Sequence, residues 1–376
     1  MKKLIQIYTG GVSGRNISIQ QIQQKLDSLE SNRADGIIVG WSLEQQIYKW
    51  LRTYTKDRGI ELYLWFQVLA EFKSLGDFED VRTLNGKTLR SAAFDGDEEF
   101  SFYCPSNPNT YKSLIEIFER HFSDIGFDGV LLDRIRFPSL AVDRNALFSC
   151  TCPFCMEKLA KRGVGRKDIE EAYRKIKQDA EKGAIFCIKE YKNGKYTFYS
   201  REVEEYLNVR TGLITDIVKS LADYFREKGM KVGLDLFAPF LSIFVGQDYT
   251  ELSRSADFMK PMLYRHTYTP AGMQYELDGM AGEMAGSMKQ IIGMEDGRLT
   301  DFMEKELEAV IKLSDCEIYA GMEVHTAKDL PLVRPQSVKE GTKLIEKMRC
   351  AGRVASWNIL EASKENLLAF MEGVIV

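Results

Sequence analysis

The stretch GFDGVLLDRIRFP, residues 126–138, is an apolar run that ends in one acidic and two basic residues. FDGVLLD has the composition of a buried strand bounded by a glycine. Asp133, Arg134 and Arg136 follow at the point where that strand would end. Because charges are costly to bury, their position predicts either a structural ion pair or a functional site at the end of a strand.

Runs of the same kind recur along the whole chain and alternate with helical patterns. The predicted strands are 3–10, 36–41, 61–69, 127–133, 231–239, 257–266, 317–325 and 353–360. The main helical patterns are 18–31, 42–58, 106–122, 167–182, 201–228, 299–314, a segment after Pro335, and 364–372. Strands that alternate with helices imply a parallel α/β sheet. Eight such units imply a (β/α)8 TIM barrel, a fold of about 250 residues before insertions.

The 376 residues exceed that length, and most of the surplus follows the fourth strand. Residues 139–200 are predicted to be an insertion with a cysteine cluster, a charged helix and a hairpin turning at Asn193 and Gly194. No linker divides the chain, so residues 1–376 are predicted to be one barrel. An open doubly wound sheet is the alternative, but GGVSG at 10–14 does not match its usual phosphate-binding fingerprint.

Composition is that of an ordinary soluble protein, with 44% hydrophobic and 28% charged residues. A net charge of −4 argues against a nucleic-acid partner. No apolar run approaches the ~20 residues of a membrane span, and the N-terminus is not a secretory signal as it stands. Seven cysteines without a framework spacing favour a reducing compartment. We therefore expect a cytoplasmic protein without a membrane partner, and the oligomeric state stays open.

Active sites of TIM barrels lie at the C-terminal ends of the strands, so the residues there are the candidates. Three carboxylates lie at predicted strand ends: Asp133, Asp235 and Glu323. Aromatic and polar side chains accompany them: Trp41, Arg136, Tyr264, His266, His325, Trp357 and Asn358. Aromatic faces beside carboxylates suit a sugar, because its C–H faces stack on rings and its hydroxyls need hydrogen-bond partners.

Glycoside hydrolysis uses two carboxyl groups that flank the scissile bond. Asp133 is the expected nucleophile or base, with Glu323 or Asp235 as the acid. Arg136 would hold Asp133 ionised and oriented. The structural alternatives are an ion pair of Asp133 with an arginine, and core positions for the tryptophans.

At this point the residues resemble a family. GFDGVLLDRIRFP is similar to the DG-x-x-LD-x-x-R-[FY]-P segment of bacterial glycoside-hydrolase-like TIM barrels, and LDLFAPFLSIFVGQDYTELSRSADFMKPMLYRH (234–266) resembles their fifth-to-sixth-strand segment. YCPSNPNTYKSLIEIF (103–118) is a weaker match. The resemblance implies a sugar-active barrel and points to these matching positions: Asp133, Arg136, Asp235, Gln247, Asp248, Tyr264 and His266.

Departures from the family pattern limit what is carried over. Arg134 stands where related sequences often have Tyr, and Arg265 precedes His266 where a Pro-Ser pair is more usual. The fourth-strand segment also resembles that of family 18 chitinases, but Ile135 occupies the place of their terminal Glu. Their substrate-assisted mechanism is therefore not expected, and Glu323 rests on its strand-end position alone.

The sequence SCTCPFC supplies three closely spaced thiols, Cys150, Cys152 and Cys155. C-x-C-x-x-C can ligate zinc, but a closed structural site needs four ligands. Cys104 can be the fourth only if its loop folds next to the insertion. The alternative is a set of reduced thiols in a packed loop. Any metal here is expected to be structural, and no cofactor is expected for catalysis.

Taken together, these features predict a glycosidase of unknown substrate that cleaves with paired carboxylates. Two alternatives remain open at this level. One is a carbohydrate-binding barrel without catalysis. The other is a barrel enzyme of a different class, such as a lyase or an aldolase, for which Lys260 is the one lysine near an inner strand end.

Overall fold

The computed structural model describes residues 1–12, 14, 17–29, 34–92, 99–294, 298–326 and 333–372. Eight parallel strands close into a barrel, which confirms the predicted fold class. They are β1 (Lys2–Tyr8), β2 (Gly36–Gly40), β3 (Glu61–Gln67), β4 (Gly129–Asp133), β5 (Lys231–Phe237), β6 (Phe258–Met262), β7 (Glu317–Glu323) and β8 (Gly352–Ser356). Each strand pairs with its neighbours in chain order, and β8 closes onto β1.

Helices occupy the connections between the strands and cover the barrel. Their bounds are Ile19–Asp27, Gln45–Lys56, Pro108–His121, Pro153–Lys161, Arg166–Glu181, Arg201–Glu227, Met273–Ala281, Ala285–Ile292, Leu299–Leu313, Pro335–Lys347 and Lys364–Glu372. Short helices at Pro239–Ser242 and Tyr249–Ser253 lie between β5 and β6. Within the described ranges no helix has the length and apolar character needed to cross a bilayer.

Two small antiparallel ribbons lie outside the barrel. One pairs Arg90–Ala92 with Glu99–Ser101. The other pairs Ile188–Lys192 with Lys195–Phe198. In the second ribbon Asn193 and Gly194 form the turn, and both have a positive φ, which Asn and Gly tolerate better than other residues.

The N-terminal end of the barrel is filled by aromatic rings. Phe258 stacks on Tyr319 at 4.5 Å between centroids and meets Tyr63 edge-on at 5.6 Å. Glycines on the strands beside these rings leave the room that they need: Gly129, Gly233 and Gly352. These rings therefore fill the barrel interior at this end.

Several predicted boundaries were wrong. β6 ends at Met262 and β8 at Ser356, so Tyr264, His266 and Trp357 lie in the loops that follow. Their aromatic and apolar neighbours continue the strand-like composition beyond the last ladder hydrogen bond. The helices Pro153–Lys161, Met273–Ala281 and Ala285–Ile292 were not predicted, because they are short and two of them are rich in glycine and methionine. The last two residues of the predicted helix 18–31 lie outside the described ranges.

Candidate functional site

A pocket opens at the C-terminal ends of β3 to β6 and beside the loop that follows β8. Its cavity volume is about 40 Å3, room for a few water molecules in this conformation. Its walls combine charged and aromatic residues with a few apolar ones: Trp65, Asp133, Arg134, Arg136, Asp235, Phe237, Lys260, Met262, Tyr264, Pro270, Ala271 and Trp357. A concave site with a few convergent polar groups is the usual form of a small-ligand site.

Strand register brings the polar residues of the pocket into one row. Gln67 on β3 pairs with Asp133 on β4, and Lys260 on β6 pairs with Asp235 on β5. Leu132 pairs with Leu234, so the residues that follow them, Asp133 and Asp235, are also neighbours. Residues opposite each other in a parallel sheet face the same side, and adjacent strands lie ~4.8 Å apart. The two aspartates therefore project side by side into the barrel mouth.

Asp133 is held by three donors. Its Oδ2 accepts hydrogen bonds from Trp65 Nε1 at 2.9 Å and from Gln67 Nε2 at 3.1 Å, and its Oδ1 accepts from the backbone N of Arg134 at 2.5 Å. An ionised carboxylate only accepts hydrogen bonds, so this environment suits that form. The group is partly exposed toward the pocket.

The two arginines that follow Asp133 do not form the ion pair that was considered as the structural alternative. Arg134 instead pairs with Glu71 at 2.9 Å, and both side chains are almost fully buried. Arg136 lies between aromatic rings, with its guanidinium carbon 4.7 Å from the centre of Phe102 and 4.4 Å from that of Phe237. Burial lowers the pKa of Arg136 to about 10, and nearby carboxylates, including Asp133, oppose this change.

Asp235 has a different environment from Asp133. Its Oδ2 accepts a hydrogen bond from Lys260 Nζ at 2.7 Å, and both side chains are buried. Its Oδ1 has no hydrogen-bond partner among the residues that the structure describes. Burial raises the pKa of Asp235 to about 7, which the Lys260 charge partly opposes and the nearby Asp133 charge reinforces. This carboxyl group can therefore carry a proton near neutral pH.

Lys260 also donates to Tyr264 Oη at 3.0 Å. Burial alone would lower the pKa of Lys260, but the Asp235 carboxylate reverses this and holds the pKa above its ordinary value. An amine that stays protonated is a poor nucleophile. The geometry thus does not favour a Schiff base, which was the basis of the aldolase alternative.

Glu323 lies at the end of β7 but does not line the pocket. Its Oε1 accepts hydrogen bonds from the backbone N of Arg265 at 2.9 Å and of His266 at 3.0 Å. The carboxylate therefore shapes the loop that follows β6. His266 is half-buried beside it, and burial lowers the pKa of its imidazole.

Of the other predicted binding residues, Tyr264 and Trp357 line the pocket, whereas His325, Trp41 and Asn358 do not. His325 is fully buried and packs on Trp357 at 4.0 Å between ring centroids, and burial lowers its pKa to about 4. Trp41 is buried between Tyr8 and Trp65, with ring centroids at 4.7 and 4.6 Å.

Asn358 is buried and lies outside the pocket. Its Oδ1 accepts hydrogen bonds from the backbone N of Tyr8 and of Leu360. Its side chain therefore joins the loop after β8 to the end of β1.

Gln247 and Asp248, two positions to which the family resemblance points, make structural contacts. Gln247 accepts a hydrogen bond from Phe237 N at 3.0 Å and donates to Ile135 O at 3.2 Å, so it ties the ends of β4 and β5 together. Asp248 caps the helix Tyr249–Ser253 by accepting from the backbone N of Thr250. Neither residue lines the pocket.

Trp65, Phe237 and Lys260 also line the pocket. Of these, the sequence singled out only Lys260, as the lysine that a lyase or an aldolase would use. Trp65 and Lys260 lie on strands whose apolar composition gives no sign of function. The useful signal is their register beside Asp133 and Asp235, which becomes visible only when the strands are paired.

The four cysteines Cys104, Cys150, Cys152 and Cys155 come together although 45 residues lie between the first and the second. All four are buried, and their sulfur atoms lie within 4.8 Å of one another. The loop before the helix Pro108–His121 therefore folds next to the insertion, which is the condition that the sequence set for a fourth ligand.

Comparison with known proteins identifies the family. A family model described as "Putative glycosyl hydrolase domain" matches residues 79–282, just over half of the chain. The chain belongs to this glycosyl hydrolase family. The matched segment runs from the loop after β3 through β4, β5 and β6, and so contains both aspartates of the pocket. A search of curated proteins finds no significant match.

Solved structures share the fold at low identity. The glycoside hydrolase domain of PgaB (BpsB) from Bordetella bronchiseptica is 13% identical, with a TM-score of 0.63 and 99% of each chain covered. A class V chitinase from Pseudomonas fluorescens Pf-5 is 10% identical, with a TM-score of 0.52 and 99% of each chain covered. The family and these neighbours support a glycoside-hydrolase-like protein on a (β/α)8 barrel.

Proposed function

We propose that this protein hydrolyses a glycosidic bond in the pocket at the ends of β3 to β6, with Asp133 as the nucleophile or base and Asp235 as the acid. The observation that carries the proposal is the placement of two carboxyl groups side by side in contrasting environments. Sites that use two carboxyl groups separate their roles through such differences in environment.

Asp133 has the contacts of a fixed carboxylate. Trp65 and Gln67 donate to the same oxygen, Oδ2, and thereby hold the plane of the group. Among the described residues, its second oxygen accepts from the backbone N of Arg134. A group held in this way can attack a sugar carbon or a water molecule without first reorganising.

Asp235 has the properties of a proton donor. Burial raises its pKa above the ordinary range of a carboxyl group, against the opposing charge of Lys260, and its Oδ1 has no protein partner within the described chain. That oxygen is buried, so a glycoside must enter the pocket deeply for its leaving oxygen to reach it. After bond cleavage, the Lys260 ammonium at 2.7 Å would stabilise the resulting carboxylate.

The walls of the pocket suit a carbohydrate. Trp65, Phe237 and Trp357 offer aromatic surface for the C–H faces of a sugar ring. Arg136 and Tyr264 supply donors for hydroxyl groups. Both aspartates are also positions to which the resemblance of the sequence to glycoside-hydrolase-like barrels points. The sugar and its linkage remain to be identified by screening.

The test is a turnover screen with aryl glycosides and oligosaccharides, including chitin oligosaccharides because a chitinase shares the fold. Asp133→Asn and Asp235→Asn are each expected to reduce kcat by about 10²-fold or more, with circular dichroism unchanged. Asp235→Asn also leaves the buried Lys260 ammonium without its carboxylate partner, so its Tm should fall, and its activity is measured well below that Tm. Asp223→Asn is the matched control, since Asp223 pairs with Lys219 on the surface of a helix. Full activity of Asp133→Asn would exclude the assigned role.

A carbohydrate-binding barrel without catalysis gives a different result. In that case the wild-type protein binds an oligosaccharide, measured by calorimetry, and releases no new reducing ends on prolonged incubation. The two aspartate variants would then change the affinity alone.

A further inference from the structure

We propose that Cys104, Cys150, Cys152 and Cys155 bind one structural zinc ion that fastens the loop before the helix Pro108–His121 to the insertion after β4. The sulfur of Cys104 lies 3.3 Å from that of Cys152 and 3.4 Å from that of Cys155. No two of the four sulfur atoms are more than 4.8 Å apart. The site lies outside the proposed catalytic pocket and does not depend on the proposed function.

These distances fit a single tetrahedral ion. Zinc–sulfur bonds of about 2.3 Å place the four sulfur atoms of a regular tetrahedron about 3.8 Å apart. A disulfide would bring two of the sulfur atoms to about 2.0 Å. An iron–sulfur cluster has several metal atoms between the thiolates and would hold them farther apart. The observed spacing lies closest to the four-thiolate zinc geometry.

The backbone around the cluster is arranged to hold the thiolates in place. Cys152 caps the helix Pro153–Lys161, and its sulfur accepts a hydrogen bond from Cys155 N at 3.4 Å. Thr110 donates its hydroxyl to the carbonyl of Cys104 at 2.8 Å. Between the two ligands of the C-x-C segment, Thr151 donates its backbone N to Arg82 O at 3.0 Å. Hydrogen bonds therefore hold both the loop that carries Cys104 and the segment that carries the other three cysteines, independently of a metal.

A buried arginine next to the cluster supplies an independent argument. Arg210 has no exposed surface, and its guanidinium donates to the carbonyls of Ser149, Ala146 and Phe244. No carboxylate within the described ranges lies within 4 Å of it. A buried cation without a counter-charge is strongly unfavourable. Four thiolates around Zn²⁺ carry a net charge of −2, and the Ser149 carbonyl that binds Arg210 immediately precedes Cys150, so the metal centre would supply that counter-charge.

A bound metal would also affect the pocket, because Cys104 lies close in sequence to a residue that packs against Arg136. Cys104 is two residues from Phe102, whose ring packs against the Arg136 guanidinium at 4.7 Å. Zinc would therefore fix the loop that forms the wall behind Arg136. Loss of the metal is expected to lower stability first and to loosen this wall as a secondary effect.

The test begins with the metal content of the full chain, purified without chelators and analysed by inductively coupled plasma mass spectrometry. The expected result is about one zinc per chain, with X-ray absorption showing four sulfur neighbours at about 2.3 Å. A metal-free protein would overturn the proposal, whether its four cysteines react as free thiols after denaturation or form disulfides detected by mass spectrometry. Iron in place of zinc would overturn the assignment of the ion.

A matched pair of variants tests the ligands. Cys152→Ser is expected to lose the zinc and to lower Tm by ~5 °C or more. Cys187→Ser is the control, because Cys187 is buried in the same insertion but lies outside the cluster, and it should retain one zinc. Full zinc binding by Cys152→Ser would overturn the proposal. If Cys152→Ser does not fold, the metal content and sulfur coordination of the wild-type protein decide the question.

Discussion

The Asp235 carboxylate and the Lys260 ammonium form a buried ion pair of 2.7 Å across β5 and β6. The two residues are paired in register, so the contact follows directly from the closing of the barrel. Isolated buried charges are very costly, and a partner offsets much of that cost. The pair leaves Oδ1 of Asp235, a buried atom of a residue that lines the pocket, without a hydrogen-bond partner in the described residues.

The pH dependence of activity follows from this pair. Burial raises the pKa of Asp235 to about 7, so the group loses its proton as the pH rises through that value. An acid catalyst is active only when protonated, and kcat/KM of the wild-type protein is therefore expected to fall as the pH rises above about 7. A pH profile on the fastest substrate of the screen measures this limb.

Lys260→Met should move that limb in a defined direction. The Lys260 charge lowers the pKa of Asp235, so its removal raises that pKa and shifts the alkaline limb to higher pH. Lys231→Met is the control, because Lys231 lies at the opposite end of the neighbouring strand and pairs with Glu61. An alkaline limb that stays in place in Lys260→Met would argue that Asp235 is not the acid.

Glu323 was the other candidate for the acid. Its contacts predict different results for a structural and for a catalytic role. One of its oxygens accepts two backbone hydrogen bonds from the loop after β6. Gln keeps a carbonyl oxygen that can accept both, so Glu323→Gln is expected to retain kcat within about tenfold of wild type. A catalytic acid would instead lose about 10²–10⁴-fold.

Glu323→Ala separates the structural role from a catalytic one. It removes the acceptor and leaves two buried backbone donors without it, so the free energy of unfolding should fall by about 1–3 kcal/mol. Equal loss of activity in Glu323→Gln and Glu323→Ala, with stability unchanged in the first, would restore Glu323 as the acid.

Arg134, one of the three charged residues at the end of β4, forms a buried ion pair with Glu71. Glu71→Gln removes the negative charge that faces the buried guanidinium and is expected to lower the free energy of unfolding by about 3 kcal/mol in urea denaturation. Glu251→Gln is the control, since its pair with Arg254 is exposed. That change should cost less than ~0.5 kcal/mol, and equal costs for the two variants would contradict a stabilising role for Glu71.

The sequence was sufficient to predict the fold and several of the residues that line the candidate pocket. Continuous apolar runs such as GVLLD reveal buried parallel strands because both faces of such strands are covered. Asp133 ends β4, Arg136 follows three residues later, and Asp235 lies near the end of β5. All three line the pocket, because the C-terminal ends of barrel strands and the loops after them meet at one end of the barrel.

What the sequence could not show depends on register and on loop paths. In the sequence, Lys260 is a single charged residue within an apolar strand. Its position beside Asp235 becomes visible only when β6 is paired with β5. Glu323 ends its strand as expected, yet the loop after β6 occupies its carboxylate with two backbone donors. The sequence spacing could not identify the partners of Cys104. Whether the loop before the helix Pro108–His121 approaches the insertion after β4 depends on the three-dimensional paths of both segments.

The aromatic plug at the N-terminal end of the barrel gives a prediction that is independent of function. A Cβ atom at Gly233 would overlap the Phe258 ring, which is packed between Tyr63 and Tyr319 and has no space to move. Gly233→Ala is therefore expected to lower the free energy of unfolding by about 1–3 kcal/mol, measured by chemical denaturation. Gly286→Ala is the matched control, because a Cβ there meets nothing within 4 Å, and the helix Ala285–Ile292 should gain up to ~1 kcal/mol from alanine. A stability of Gly233→Ala equal to that of wild type would show that the rings yield, and that the glycines on the strands beside them are not needed to close the barrel.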